Sequence, residues 1–364
     1  MRTTLAQRGM RTSITLILFG QVIHAATVAT VVGTGERGFS GDGGSATMAK
    51  INGPFGVTKG PAGSLYICDT MNHAVRKVDR ETGIITTIAG TGRKGYKGDG
   101  GSATKAELNE PYEVRFNEAG DLFIVEMKNH IVRRVDAKTR RISTVTGVGQ
   151  AGFSGDGGPA SKAKLNRPHS IQFGPEGHLY ICDIGNHRIR RMNVKTGRIE
   201  TFAGTGARNR TPDGSPIAGT PLNGPRAIDF DAQGQMWLAL REGNAVYRLN
   251  LKTKTIHHEA GTGKKGFTGN GSSAKKATLS GPKGIAVGPG GNIYLADTES
   301  HSVRMINRKT GILELIAGDG RKGNGPEGNP LRCRMDRLHG IFVDQDGAIF
   351  VGDTNTHRVR VIRP

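Results

Sequence analysis

A repeat of about 57 residues constrains the fold of this chain more than any other feature. A similar short segment begins at residues 53, 110, 167, 224 and 281, each 57 residues after the last, and a sixth copy begins 56 residues later at Arg337. Repeats of this length are typical of stacked units, in which each unit buries its apolar face only against its neighbours. The period therefore indicates one domain built from six equivalent units.

Each unit contains four short apolar runs separated by turn residues. In the first copy these runs are residues 55–57, 65–68, 74–78 and 84–89. Runs rich in β-branched and aromatic residues, bounded by Gly, Pro and Asp, predict a four-stranded antiparallel meander. Six such sheets arranged radially form an all-β fold, the six-bladed β-propeller, which protects its sheet edges by closing the ring.

The two ends of the chain complement each other. The sixth copy stops after its third run, residues 358–362, and so lacks a fourth strand. The segment 28–35 near the N-terminus resembles 86–92, which contains the fourth strand of the first copy. We therefore expect the N-terminal strand to complete the last blade and to close the ring.

The N-terminus has the form of a secretory signal peptide. Three arginines within the first 11 residues precede an apolar run, residues 14–20, and the small residues Ala25 and Ala26 follow. We predict a signal peptide at 1–25, a single propeller domain at 26–364, and a secreted or periplasmic protein. The alternative is an uncleaved anchor, although the run is too short for an ordinary transmembrane helix. We expect no transmembrane span in the mature chain.

The chain is strongly basic, with a net charge of +20 when histidines are neutral. Such a surface attracts polyanions, so the candidate partners are an anionic ligand, an acidic polysaccharide, a protein partner, anionic envelope lipid or, as a less favoured candidate, nucleic acid. Aromatic residues make up only 5% of the chain, which disfavours recognition of nucleic acid by base stacking. Alternatively, the basic residues form a solvated rim of the protein and bind no polyanion. Much of the charge lies in third strands and the turns after them: Arg133, Arg134, Lys138, Arg140, Arg141, Arg188, Arg190, Arg191, Lys195 and Arg198.

Two polar motifs recur in most units. The connection before the first unit contains Gly-Asp-Gly-Gly at 41–44, which indicates either a turn with the Asp bonded to local amides or a calcium site. Asp69 precedes His73 by four residues, and the same pair recurs at 183/187, 297/301 and 353/357. Because a catalytic group is normally needed only once, we interpret this pair as a lock for the turn and not as a catalytic dyad.

The segments 72–78, 186–192 and 356–361 resemble the NHL repeat, which is named after an Asn-His-Leu motif. The resemblance extends from about residue 28 to residue 364 and implies a propeller of the TolB-like and SMP-30-like superfamily. The long Gly-rich connections resemble those of bacterial secreted NHL proteins and of the teneurin-type propeller. Because this fold hosts enzymes, nucleic-acid binders and adhesion modules, the resemblance leaves function open.

Six equivalent positions, each directly after the residue that opens a first strand, differ from unit to unit. We expect them to surround one mouth of the central channel and call them the mouth ring. Its varied, polar and cationic character predicts a binding site for an anionic group at Tyr112, His169, Arg226, Lys283 and His339. The ring comprises Phe55, Tyr112, His169, Arg226, Lys283 and His339.

Two histidines of the mouth ring suggest an alternative function. The NHL family includes the peptidyl-α-hydroxyglycine α-amidating lyase, in which Pro-His-Gly-like segments supply histidines to a channel zinc. Segments 167–170 and 337–340 are similar to those, which implies His169 and His339 as ligands of zinc or calcium in a metal-dependent lyase or lactonase. Virginiamycin B lyase and the gluconolactonases are similar six-bladed enzymes. A third histidine is absent, and only Glu113 lies beside the ring, so the leading hypothesis is a non-catalytic binding module.

The fourth unit departs most from the repeat. It loses the His and Arg of the second turn and third strand, and it contains the only tryptophan of the chain, Trp237, near Arg241 and Glu242. This pattern indicates either a contact surface for a partner or drift under weak constraint.

Overall fold

The computed structural model describes residues 25–364 and is an all-β, six-bladed propeller of four-stranded antiparallel blades. The predicted signal peptide lies, except for Ala25, outside the described residues. Blade 5 has one additional two-residue strand beside its outer strand. No described helix is long and apolar enough to cross a membrane.

The strands are numbered in chain order. The N-terminal strand is β1 (Thr27–Val32). Blade 1 contains β2 (Pro54–Lys59), β3 (Leu65–Asp69), β4 (Ala74–Val78) and β5 (Ile85–Ala89). Blade 2 contains β6 (Pro111–Phe116), β7 (Leu122–Glu126), β8 (Ile131–Val135) and β9 (Ile142–Thr146). Blade 3 contains β10 (Pro168–Phe173), β11 (Leu179–Asp183), β12 (Arg188–Met192) and β13 (Ile199–Ala203).

The remaining blades follow the same order. Blade 4 contains β14 (Pro225–Phe230), β15 (Met236–Leu240), β16 (Ala245–Asn250) and β17 (Thr255–Ala260). Blade 5 contains β18 (Ser272–Ser273), β19 (Pro282–Val287), β20 (Ile293–Asp297), β21 (Ser302–Ile306) and β22 (Ile312–Ala317). Blade 6 contains β23 (Leu338–Val343), β24 (Ile349–Asp353) and β25 (Arg358–Arg363).

The N-terminal strand closes the ring, as predicted. Strand β1 pairs antiparallel with β25, with Val28 opposite Ile362 and Thr30 opposite Arg360. Blade 6 is thus assembled from both ends of the described chain. Because closure leaves only short edges, the propeller avoids the exposed strand edges that promote aggregation.

The apolar core lies between neighbouring blades. One buried cluster, for example, combines Tyr66, Cys68 and Val75 of blade 1 with Val114 and Ile124 of blade 2. Each blade therefore depends on its neighbours to bury its faces, as expected for stacked repeats. The described helices are single 3-10 turns; the one before blade 1 spans Ala46–Met48.

Five blades bury an ion pair between their second and third strands. In blade 1, Arg76 lies 3.2 Å from Asp69 and 2.6 Å from Asp42 of the Gly-Asp-Gly-Gly connection. Asp42 also accepts a hydrogen bond from the Thr87 amide at 3.0 Å. These contacts confirm the structural interpretation of the Gly-Asp-Gly-Gly turn. The other pairs are Glu126–Arg133, Asp183–Arg190, Asp297–Arg304 and Asp353–Arg360.

The residue at the end of each second turn, a histidine in five blades and Asn244 in blade 4, joins its blade to the next one. His73 adopts a left-handed conformation with φ of 51°, and its Nδ1 accepts a hydrogen bond from the Glu110 amide of blade 2 at 3.2 Å. The last bond of the series runs from the Gly53 amide to His357, so it links blade 6 to blade 1. The Asp–His pair is therefore a structural lock, as predicted. The remaining donor–acceptor pairs are Arg167–His130, Gly224–His187, Gly281–Asn244 and Arg337–His301.

Candidate functional site

The mouth ring lies at the start of the innermost strand of each blade. Every inner strand begins with Pro or Leu, and the ring residue is its second residue. The ring side chains are nearly inaccessible, with exposed fractions between 1% for His169 and 8% for Phe55. The structure therefore brings all five predicted binding residues together with Phe55, but as a packed layer across the channel instead of an open mouth.

Tyr112 lies at the centre of this layer. Its ring centroid is 4.5 Å from His169, 4.9 Å from Phe55 and 6.0 Å from His339. Phe55 stacks on His339 at 4.0 Å. The Arg226 guanidinium lies 4.8 Å from the Tyr112 ring and donates a hydrogen bond to its hydroxyl. Because five blades contribute to these contacts, side chains occupy the channel at this level.

Both histidines of the layer are held as neutral rings. His169 Nδ1 lies 2.6 Å from the Arg167 carbonyl oxygen, and His339 Nδ1 lies 2.9 Å from the Arg337 carbonyl oxygen. A carbonyl only accepts, so Nδ1 carries the proton and Nε2 is the basic atom. Burial, together with nearby cations, holds the pKa of both imidazoles well below the ordinary value. Each ring therefore has a fixed tautomer.

Arg226 is a buried cation without an acidic partner. It is 7% exposed, and none of the described carboxylates lies within ion-pair distance of its guanidinium. Its Nε is buried and has no hydrogen-bond partner. Burial lowers its pKa, but an arginine stays protonated in proteins. The layer therefore contains an unpaired positive charge, which is costly to bury.

Lys283 shares a single carboxylate with two other cations. It is 4% exposed, and its Nζ donates to Glu299 at 3.2 Å. The same carboxylate lies 3.6 Å from Arg337 and 3.9 Å from Arg241. Burial, followed by the charges of Arg226 and Arg337, lowers the pKa of Lys283 to about 7. The positive charge on this side of the mouth thus exceeds the negative charge.

The layer beneath the mouth ring is built from small residues around one acid. Gly340 has no room for a Cβ atom because the Phe55 carbonyl stands in its place. Glu113 is the one long side chain at this level, and it forms an ion pair with Arg115. Burial raises the pKa of Glu113 to about 7. A narrow cavity lined by Glu113, Arg115 and Lys283 lies here, too small to admit a ligand from the mouth.

The residues of the mouth do not fit a zinc site. The two predicted ligands, His169 and His339, each offer only Nε2, and Arg226 and Lys283 beside them oppose a further cation. Catalytic zinc normally has three protein ligands, and residues 25–364 contain no group of three or more His, Cys, Asp or Glu side chains placed to hold a metal. The carboxylates of the Gly-Asp-Gly-Gly turns bind arginines instead of presenting a calcium site.

Family models match the chain within its blades. The teneurin NHL domain model matches residues 260–337, and the NHL repeat model matches residues 165–192 and 335–362. Both NHL-repeat matches include the second turn and the histidine that bonds to the next blade. The chain contains NHL repeats. The matched repeats coincide with strands of blades 3 and 6, and the histidine that gives the motif its middle letter joins each of these blades to the next one.

Curated relatives resemble the chain at low sequence identity. Human NHL repeat-containing protein 2 is 24% identical over 331 residues, which cover 82% of this chain and 44% of the relative. The chain spans less than half the length of the curated relatives it matches.

Solved structures share the fold at low sequence identity. An auxiliary nutrient binding protein from Bacteroides thetaiotaomicron superposes with a TM-score of 0.67 and 17% identity, covering 93% of this chain and 76% of that one. A virginiamycin B lyase from Staphylococcus aureus superposes with a TM-score of 0.53 and 14% identity, covering 86% and 95%. At these identities the likeness shows the fold alone, and the fold accommodates both binding proteins and lyases.

Sequence reasoning missed Glu299 as a residue of the mouth. Glu299 lies in the second turn of blade 5, three residues after the last apolar residue of the second strand. The equivalent residue differs among the units and is Lys128 in blade 2. This variation was visible in the sequence, in the same way as that of the mouth ring. The role of Glu299 follows from its carboxylate, which lies beside Lys283, Arg241 and Arg337. Only the structure shows these contacts.

The structure removes one alternative that the sequence left open and corrects one interpretation. Trp237 is fully buried; its indole nitrogen donates to Asp231 at 2.9 Å, so it cannot present a partner surface. Arg133 and Arg190 are also fully buried in ion pairs, so they add nothing to a basic surface. The arginines were assigned to the surface because the carboxylates that cover them, Asp99 and Asp156, lie in other segments of the chain.

Proposed function

We propose that this NHL propeller is a binding module whose channel mouth takes an anionic group of a partner, such as an acidic polysaccharide or an acidic protein. The observation that carries the proposal is Arg226, a buried guanidinium with no carboxylate and with an unsatisfied Nε. A buried ion without a partner is costly, and a bound anion would supply charge-assisted hydrogen bonds.

The packed mouth ring favours a ligand that lies across the mouth over one that enters the channel. Tyr112, Phe55 and His339 contact one another and occupy the channel, and the cavity beneath them is narrow. Around the ring, the exposed Arg167 and Lys128 lie on one side and Arg337 and Arg241 on the other. This arrangement suits an extended acidic chain better than an enclosed small molecule.

We further propose that the protein acts outside the cytoplasm, because its N-terminus has the form of a signal peptide. N-terminal sequencing of the protein recovered from the producing cells tests this, and the expected first residue is Ala26. A chain that begins at Met1 would contradict cleavage.

The binding proposal is tested with two defined polyanions, poly-glutamate and alginate. Affinity measured by calorimetry should fall steeply as salt is added, because the interaction is between charges. Arg226→Gln should weaken binding by about tenfold, as expected for loss of charge-assisted hydrogen bonds. Arg140→Gln changes an exposed arginine in a turn between third and fourth strands, outside the mouth, and is the matched control.

Two results would refute the binding proposal. The first is absence of salt-sensitive binding to both polymers. The second is equal weakening by Arg226→Gln and Arg140→Gln, which would indicate a diffuse basic surface and not a site at the mouth.

A lyase or lactonase is the second candidate. It is favoured by His169, whose Nδ1–H is fixed by the Arg167 carbonyl so that Nε2 can accept a proton. A neutral imidazole of fixed tautomer is suited to general base catalysis. A screen of streptogramin and lactone substrates with the parent protein and with His169→Ala tests this candidate. Turnover that disappears in the variant supports it, and turnover that persists contradicts it.

A further inference from the structure

Blade 4 contains a cavity where the other blades bury their ion pair. Its second turn and third strand lack the acid, the amide and the arginine of the repeat, so the polar cluster beneath the connecting loop is absent. The replacements are Leu240 for the position of Asp69, Gly243 for Asn72, Asn244 for His73 and Tyr247 for Arg76. The cavity measures about 280 Å³, near the lower limit of small-molecule sites.

A backbone donor at this cavity has lost its acceptor. In the other five blades the amide before the inner strand donates to the buried acid, as Asn52 does to Asp69 at 2.7 Å. The corresponding bonds have lengths between 2.6 and 2.8 Å in the other four of these blades. In blade 4 the equivalent amide belongs to Asn223, which lines the cavity. The Leu240 side chain has no oxygen, and none of the described residues accepts a hydrogen bond from the Asn223 amide.

A cation lines the same cavity. Arg210 takes the loop position of Phe39, which in blade 1 lies over the buried Arg76 at 5.1 Å. Blade 4 thus exchanges the two chemistries, with arginine on the loop and an aromatic residue, Tyr247, on the strand. Arg210 is exposed and has no ion pair or side-chain hydrogen bond with any described residue. The repeat's carboxylate is therefore missing from a cavity that is lined by an unpaired amide and an unpaired guanidinium.

The walls of the cavity are partly apolar. Leu240, Ala245 and the ring of Tyr247 line one side. His258 and Glu242 also line the cavity. The His258 Nε2 donates to the Gly261 carbonyl at 2.6 Å, and Glu242 forms an ion pair with Arg241 at 2.7 Å. A ligand with one carboxylate and a short apolar or aromatic body matches both the donors and the walls.

We propose that blade 4 binds a small carboxylic acid, whose carboxylate occupies the place of the absent acid and bonds to the Asn223 amide and Arg210. This site is separate from the mouth ring and extends the function proposed above. The repeat itself is the evidence, because five blades show that a carboxylate at this point satisfies the same backbone amide.

Benzoate and acetate are the probes, with benzamide and acetamide as their uncharged counterparts. Amide and side-chain NMR shifts of the full protein should report binding of the acids and not of the amides. Arg210→Gln should weaken benzoate binding by about tenfold or more, as expected when one charge-assisted bidentate contact is lost. Arg93→Gln, an exposed arginine of another connecting loop, should leave the affinity unchanged.

Leu240→Asp provides a second and independent test, because it restores the repeat's own acid beside the Asn223 amide. The tethered carboxylate should block benzoate while the fold is retained, as judged by circular dichroism. Benzoate and benzamide binding equally well would overturn the proposal, as would full benzoate affinity in Arg210→Gln. If Leu240→Asp does not fold, the Arg210→Gln result alone decides.

Discussion

Replacing Lys283 by methionine tests the electrostatic account of the mouth most directly. Lys283 is 4% exposed, and its one acidic partner, Glu299, is shared with Arg241 and Arg337. Burial and the neighbouring cations lower the pKa of Lys283 from 10.5 to about 7. Methionine keeps the length of the side chain and removes the charge, while Glu299 retains two arginines.

The pH dependence follows from linkage. Below about pH 7 the lysine is protonated in the folded and unfolded states, so the full cost of burying its charge is present. Between the folded and unfolded pKa values the unfolded chain binds one more proton, and the stability of the parent protein rises by up to about 1.4 kcal/mol per pH unit. The Lys283→Met variant lacks this gain. The free energy of unfolding of Lys283→Met minus that of the parent should therefore fall by about 2 kcal/mol between about pH 7.5 and about pH 9.5.

Urea unfolding of both proteins across this range measures the difference. All other titrating groups are common to the two chains, so they cancel in the comparison. Lys128→Met changes an exposed lysine of the same mouth, and its unfolding profile should follow that of the parent. Parallel profiles for Lys283→Met and the parent would refute the reasoning, since they would mean that Lys283 titrates alike in the folded and unfolded chain.

Three further outcomes are expected. Polyanion affinity at the mouth should fall as the pH rises through about 7, because Lys283 loses its charge; a constant affinity would remove Lys283 from the site. Arg133→Met should cost about 3 kcal/mol in urea unfolding because it strands two carboxylates, while exposed Arg134→Met should cost little; similar losses would contradict the buried pair. His357→Ala should cost about 1 kcal/mol by orphaning the Gly53 amide, and unchanged stability would disprove the lock.

The fold could be predicted because its signals are local and repeated. Strand runs, turn residues and the complementary ends all lie within one period, and β1 pairing with β25 follows from them. The buried arginines could not be assigned in the same way. Arg76 is covered by Asp42, 34 residues earlier in the chain, and an alternating strand pattern does not show whether a loop folds over it. A charged residue on a strand was therefore assigned to the surface when it belongs to the interior.

The same limit applies to the site. Sequence periodicity placed the mouth ring, because equivalent positions in a closed ring must face the same channel. It could not show that Tyr112 reaches His339 across the channel or that Arg226 bonds to Tyr112, since these contacts join blades that are not neighbours. Side-chain length and direction decide whether six such residues leave an opening, and they leave none.

The fourth blade shows why departures from a repeat need a physical comparison before they are attributed to drift. Loss of the buried acid and arginine alone would leave the loop unsupported, and a cavity in a core is costly. In blade 4 the Tyr247 hydroxyl donates a hydrogen bond to the Thr211 carbonyl at 2.8 Å. This bond replaces the one in blade 1, where Arg76 donates to the equivalent Ser40 carbonyl at 3.1 Å. The loop thus keeps its attachment point through a different side chain, and the space beneath it stays open. Blade 4 thus keeps the loop in place with Tyr247 while the repeat's acid and its arginine are both absent, which leaves room and an unpaired amide for a bound acid.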